Sequence, residues 1–254
     1  MTTVSLPGTG DWHIDERLAV TPVSRTSRVR QGDRQAVLRQ DEAGARQLGL
    51  DRVAERAILA RVASAGLGPA CLDADPARGL LLTEWLPGRA WTAADLRESD
   101  NLQQAAALLR RIHTLPPEGP LQDLAAAIHR YEVRAGVTDI ADLARDQLTR
   151  CRQLESAPAL CLCHNDPTPG NFIAGTGRPL RLIDWEYAGL CDPFFDLAVL
   201  ASGAALTPAG QGILLAAYRQ RPPHLADSKR LEAWMTFCGF LGALWEAALA
   251  KQNQ

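Results

Sequence analysis

Apolar and polar positions change rhythm about a third of the way along the chain. Up to residue 86 the apolar residues come in short β-like runs separated by turn formers. TSRVRQ and QAVLRQ flank Gln31-Gly32-Asp33, a hairpin signal. ACLDADPARGLLLTEWLPG holds two more runs around Asp75-Pro76-Ala77-Arg78-Gly79, closed by Pro87-Gly88. Between the two pairs the spacing predicts one helix, capped by Asp51, running through RVAERAILARVASAG and ended by Gly66, Gly68 and Pro69. Glu55, Ile58, Leu59 and Val62 share one face of it, which sets a carboxylate on the buried stripe. A buried carboxylate needs a cation, and Arg39 on the preceding strand is the one at hand.

From Ala93 onward the period becomes helical: LQQAAALLRRIHTL, PLQDLAAAIHRYEVRAG and TDIADLARDQLTRCRQL, and at the end RLEAWMTFCGFLGALWEAALAKQ. Two short β-like runs, ALCLC and LRLIDW, interrupt it. The expected class is α+β: a small antiparallel sheet with one helix over residues 1–86, then a larger, mainly helical region over residues 87–254. No internal repeat, low-complexity tract or Gly/Ser linker is visible.

Composition narrows the function classes. With 254 residues, 46% hydrophobic and 22% charged, the chain has the make-up of a packed globular protein long enough for an enzyme. A formal charge of −2 gives no electrostatic reason to expect nucleic acid or an anionic membrane as partner. No stretch is read as approaching the roughly 20 apolar residues that span a bilayer, and the start lacks a basic region followed by an apolar run. The expectation is a cytoplasmic protein acting on small molecules. Its six cysteines, Cys71, Cys151, Cys161, Cys163, Cys191 and Cys238, are too sparse for a disulfide framework and are read as reduced thiols.

The chemistry concentrates in CLCHNDPTPGNF, residues 161–172. Cys161, Cys163 and His164, with Cys191 to complete the set, are zinc-ligand types. The spacing argues against zinc, because C-x-C on a strand sends both sulfurs to one face and His164 to the other. The polar residues form a second pattern: Asp166 and Asn171 on one loop, and Asp184 at the end of the next strand, in Ile183-Asp184-Trp185. Two such loops can place oxygen ligands around one point, as Mg²⁺ and phosphates require, and a carboxylate beside them can orient or deprotonate a hydroxyl.

HNDPTPGNF followed by LRLIDWEYAGLCDPFFDLA resembles the aminoglycoside phosphotransferase/choline kinase superfamily of protein-kinase-like small-molecule kinases, most of all its bacterial choline kinase and thiamine kinase branch. TEWLPG is similar to the segment joining the lobes, and LLRRIHTL to a helix ending in Leu-x-x-Leu/Ile-His. The resemblance implies a two-lobed fold with ATP between the lobes, and makes Asp166 the catalytic aspartate. It implies Asn171, Asp184 and Glu186 as Mg²⁺ ligands, Arg39 as the phosphate-contacting cation with Glu55 as its partner, and Glu84, Trp85 and Leu86 as the adenine-contacting segment. His164 and Asp196 brace the loops. In place of a glycine-rich phosphate loop stands Pro22-Val23-Ser24-Arg25-Thr26-Ser27, whose Ser24, Thr26 and Ser27 are the candidate phosphate contacts.

The acceptor is expected to be a hydroxyl on a cationic metabolite of the choline or thiamine type. Trp234 and Trp245, with Tyr187, are candidate pocket walls for it through cation–π attraction, although both tryptophans serve equally as core aromatics. An amino sugar or a neutral alcohol is the alternative acceptor, and a nucleotide-binding pseudokinase is the reading from outside enzymology. His113 and His129 are read as structural, and oligomeric state is left open.

Overall fold

The structure is a computed structural model that describes residues 2–21, 23–42, 49–155 and 159–251; Pro22 of the candidate phosphate loop lies outside them. The chain divides into two compact units, Met1–Pro87 and Gly88–Gln254.

The first unit is built from β1 (Thr3–Leu6), β2 (Gly10–Val20), β3 (Ser24–Gln31), β4 (Arg34–Asp41), α1 (Arg52–Ser64), β5 (Cys71–Asp75) and β6 (Leu80–Glu84). The strands form one antiparallel sheet in the order β1-β2-β3-β4-β6-β5. Strands β3 and β4 make the hairpin that the turn residues predict, with Gln31 opposite Arg34 and Gly32 at φ 59°. Alternation along β4 and β6 turns Ala36, Leu38, Leu80 and Leu82 into a core with Trp12, Val29 and Leu6. Asp51 caps α1 by accepting the N–H groups of Val53 and Ala54, and Glu55, Ile58, Leu59 and Val62 are its buried face. Strand β2 was not read from the sequence: Trp12, Ile14, Leu18 and Val20 alternate along it, but Glu16 interrupts the pattern and Trp12 is its only buried position.

The second unit comprises β7 (Arg89–Ala90), α2 (Ala93–Arg97), α3 (Ser99–His113), α4 (Leu124–Ala135), α5 (Thr138–Gln153), β8 (Cys161–Cys163), β9 (Phe172–Ala174), β10 (Arg181–Leu182), β11 (Gly189–Cys191), α6 (Pro193–Gly203), α7 (Pro208–Arg219) and α8 (Leu225–Ala250). Helix α8 packs along α4, α5 and α6, and α3 against α7. Asp192 caps α6 and pairs with Arg230 of α8, tying the start of one helix to the other. Contrary to the sequence reading, α8 is long and apolar enough to cross a membrane by length and composition. Its apolar residues have a use within the unit: Leu231, Trp234, Phe237, Leu244 and Ala248 are buried at helical spacing.

Two small sheets thread between these helices, β10-β9-β7 and β11-β8. They demand glycine at two close approaches. Gly88 has φ 152°, and a Cβ there would meet the Ala174 carbonyl oxygen at 2.4 Å; at Gly189 it would meet that of Pro120 at 2.7 Å. The first contact seats β7 beside β9, and the second seats β11, which pairs with the strand leading into CLCHNDPTPGNF.

Candidate active site

Strand β8 delivers the chain to His164, Asn165 and Asp166, and a buried carboxylate receives it. Asp196, fully buried near the start of α6, accepts the backbone N–H of His164 at 2.9 Å and of Asn165 at 2.7 Å. Asn165 has φ 64°, a left-handed conformation that asparagine tolerates better than most residues, and its side-chain amide donates to the Tyr187 carbonyl at 2.9 Å. The His164 ring is locked by two bonds: Nδ1 accepts the Asp166 N–H at 3.3 Å, so Nε2 carries the proton and donates to the Ile183 carbonyl at 2.9 Å. Burial lowers its pKa, which keeps this neutral tautomer.

The loop then closes on itself. Pro169–Asn171 forms one 3₁₀ turn, and Asn171 Nδ2 donates to the Asp166 carbonyl at 2.8 Å and to its carboxylate at 3.1 Å. Gly170 has no positive φ and open space where a Cβ would stand, so proline and these bonds make the turn without it. The second loop is tied on through the backbone. Phe172 pairs with Leu182, and the Ile183 N–H donates to the Asn171 carbonyl at 2.9 Å, bringing Asp184 beside the Asp166–Asn171 pair. Asp184 itself is exposed and left-handed, at φ 64°.

Electrostatics confirm the convergence. The Asp166 carboxyl is pushed up to about 8, first by burial and then by the negative charges of Asp184 and Glu186, against the lowering effect of the Asn171 hydrogen bond. Tyr187 follows Glu186; its phenol is raised by burial and by the Glu186 charge, and it hydrogen-bonds the Trp245 side chain. Tyr131 of α4 is raised by burial and also feels Glu186. Trp234 stands apart from this group. It is 3% exposed in a cluster with Phe195 and Phe237, and Trp245, eleven positions further on, lies about 16 Å along the helix from it. It belongs to the core instead of a pocket wall.

In the first unit, Arg39 on β4 and Glu55 on α1 form a buried bidentate pair at 2.7 and 2.6 Å. Arg52 bridges Glu55 and Asp41, and Arg39 lies 3.7 Å from Asp41, so the pair belongs to a four-membered network. Glu84 ends β6, exchanging hydrogen bonds with the backbone of Ala70, and Trp85 and Leu86 follow half-buried, with Arg28 over the Trp85 ring. The candidate phosphate loop differs from expectation. From Ser24 it is strand β3, paired on both sides, so the Thr26 and Ser27 backbones are engaged in the sheet and Ser27 is buried. The turn preceding it is held by Thr21, whose hydroxyl accepts the N–H groups of Val23 and Ser24. The β-branched and polar residues chosen as a loop suit a strand as well.

The model of the APH phosphotransferase enzyme family matches residues 23–234, well over half of the sequence. The chain belongs to that family. Among curated proteins, this family member is 45% identical over 56 residues to protein LicA of Haemophilus influenzae strain Rd, a stretch spanning 22% of this chain and 21% of that protein. Among solved structures it is similar to a choline/ethanolamine kinase family protein from Mesorhizobium loti, at TM-score 0.74 and 25% identity over 94% of this chain and 79% of that one. Choline kinase LicA from Streptococcus pneumoniae shares the fold at TM-score 0.79 and 21% identity, covering 94% of this chain and 88% of that one. A further LicA structure, at TM-score 0.77 and 22% identity, covers 94% of this chain and 84% of that one and is a complex with AMP. The phosphotransferase fold is thus the protein-kinase-like α+β arrangement that the motifs imply.

The sequence reading of His113 as structural left its partner in this family member unnamed. From the end of α3 its Nε2 reaches Asp196 at 2.9 Å, while the Tyr218 hydroxyl donates to Nδ1 at 2.8 Å. Asp196 therefore gathers three donors, two from the loop and one from α3. The signal was present in LLRRIHTL, but a histidine ending an amphipathic helix names no partner until the helix is docked.

Proposed function

We propose that this chain transfers the γ-phosphoryl group of ATP to a hydroxyl of a small cationic metabolite, of the choline or thiamine type. The observation that carries the reading is the convergence of Asp166, Asn171 and Asp184 from two loops of a phosphotransferase-family chain. In this reading Asp166 accepts or orients the acceptor's hydroxyl proton. Asn171, Asp184 and Glu186 are the residues that would hold magnesium. The donor set fits that ion: all three offer hard oxygen, and Asn171 spends its Nδ2 on Asp166, which leaves its Oδ1 as the end for a cation. Bound there, Mg²⁺ would offset phosphate charge and the repulsion that lifts Asp166. Arg39, oriented by Glu55, neutralises phosphate oxygens, and the segment Glu84, Trp85 and Leu86 contacts the base. Ser24 and Thr26 beside the Thr21 turn remain candidates for phosphate contact through their hydroxyls.

The acceptor class rests on Tyr187 and Tyr131, both in the field of Glu186, and on Trp245, which hydrogen-bonds Tyr187. Neutral aromatic faces beside a carboxylate suit a positive charge. The relatives named choline kinase support the same class. The reading keeps the protein in the cytoplasm, where ATP is supplied.

ADP production in the presence of Mg²⁺ and a panel of alcohols tests this. Choline- or thiamine-type acceptors should stimulate it, and Asp166→Ala should lower turnover by about 10²–10⁴-fold. Trp245→Ala should raise KM for the cationic acceptor roughly tenfold with little change for a neutral one. If no acceptor raises ADP above the Asp166→Ala level, the kinase reading fails. Stimulation by neutral sugars alone would sink the cationic class.

A further inference from the structure

The thiols of Cys161 and Cys163 meet a histidine other than the one beside them in sequence. Both lie on one face of β8 with their sulfurs 3.6 Å apart, while His164 turns the opposite way, against Trp185 and the Ile183 carbonyl. His113 arrives from α3 on the thiol face. Its ring nitrogen and the two sulfurs all lie within 4.8 Å of one another. Beside them a cavity of about 260 Å³ is lined by His113, Cys161, Tyr218, Arg110 and Pro193.

We propose that His113, Cys161 and Cys163 form a binding site for a thiophilic divalent metal ion of the zinc class, distinct from the oxygen ligands at Asp184. Three features carry this. The sulfur spacing is already close to the separation of about 3.8 Å that two thiolates take on tetrahedral zinc. The imidazole has the carboxylate partner that metal-binding histidines use: Asp196 accepts the proton on Nε2, which leaves Nδ1 as the nitrogen with a lone pair to give. The cavity supplies an open fourth position beside the Tyr218 hydroxyl. Binding releases the two thiol protons and breaks the hydrogen bond from Tyr218 to Nδ1. Sulfur and imidazole select this class of ion over Mg²⁺. Asp196 also holds the backbone of His164 and Asn165, so the ion would sit directly behind the Asp166 loop.

Cd²⁺ titrated into the intact chain in excess Mg²⁺ provides the test, followed by sulfur-to-metal charge-transfer absorption in the ultraviolet and by the amount bound after gel filtration. The expected result is one tightly bound Cd²⁺ per chain with thiolate absorption that Mg²⁺ does not reduce. Cys161→Ala/Cys163→Ala should abolish the absorption, and His113→Gln and Asp196→Asn should each weaken binding by about tenfold or more. Because a double core substitution can unfold the chain, Cys161→Ala alone is the second variant, and it should remove about half of the absorption. In the wild type, Zn²⁺ should also raise the unfolding midpoint by mass action. Absence of thiolate absorption in the wild type, or its persistence in a folded double variant, would overturn the site.

Discussion

The Arg39 cluster in the first unit sets two guanidiniums against two carboxylates, whereas the Asp166 cluster in the second gathers three carboxylates around one amide. In the first, each buried charge is met within the cluster, so desolvation is offset by short bidentate bonds. In the second, burial first and then like charges raise Asp166 to about 8. Only the second stores an electrostatic cost that a bound cation would relieve, and such cost is typical of sites kept for chemistry. The first holds a cation in a fixed pose, whereas the second leaves like charges side by side.

Breaking the compensated cluster should give the largest effect. Glu55→Ala leaves the buried Arg39 and Arg52 with Asp41 as the remaining carboxylate of the network and should destabilise the chain by about 3–5 kcal/mol, read from the denaturant midpoint. A neutral outcome would mean that the network contributes nothing to holding α1 on the sheet.

The opposite sign is expected in the second unit. Between its ordinary value of 3.8 and about 8, Asp166 is ionised in the unfolded chain but still protonated in the folded one, so stability is lost as pH rises through that window. Asp166→Asn carries no such loss. In magnesium-free buffer at pH 8 it should be more stable than wild type, on the order of 2 kcal/mol, while losing phosphotransfer. A destabilised Asp166→Asn would show that the like-charge cost is absent.

A smaller effect separates the brace from both clusters. His164 is buried neutral with its pKa lowered from 6.5, so its contribution is intact above pH 6.5 and lost as pH falls below it. The loss should be about 1.4 kcal/mol per pH unit until the folded imidazole also protonates. The urea midpoint of wild type, taken relative to that of His164→Asn so that the Asp166 contribution cancels, should therefore fall from pH 7 to pH 5.

What could be read without the structure follows from how local each signal is. The β3–β4 hairpin, the Asp51 cap and the buried face of α1 depend on neighbours within a few residues, and all were visible. The pairing of Arg39 with Glu55 was also legible, because a carboxylate on an apolar stripe announces the need for a cation. Strand β2 was passed over, since Glu16 interrupts the alternation of Trp12, Ile14, Leu18 and Val20 and most of the strand is exposed. The separation of Trp234 from Trp245 was equally hidden, because both sit on one helix and only the packing of Phe195 and Phe237 assigns the first to the core.

By itself the sequence determined the α+β class, the family and the residue types at the site, because spacing along strands and turns is a local property of the chain. The tertiary structure alone decided how those residues are used. It made Asp196 the acceptor for both the loop and His113, it raised Asp166 through burial and through charges eighteen and twenty residues away, and it brought His113 rather than His164 to the two thiols. Burial and long-range charge depend on which elements meet, and a linear pattern does not contain that meeting.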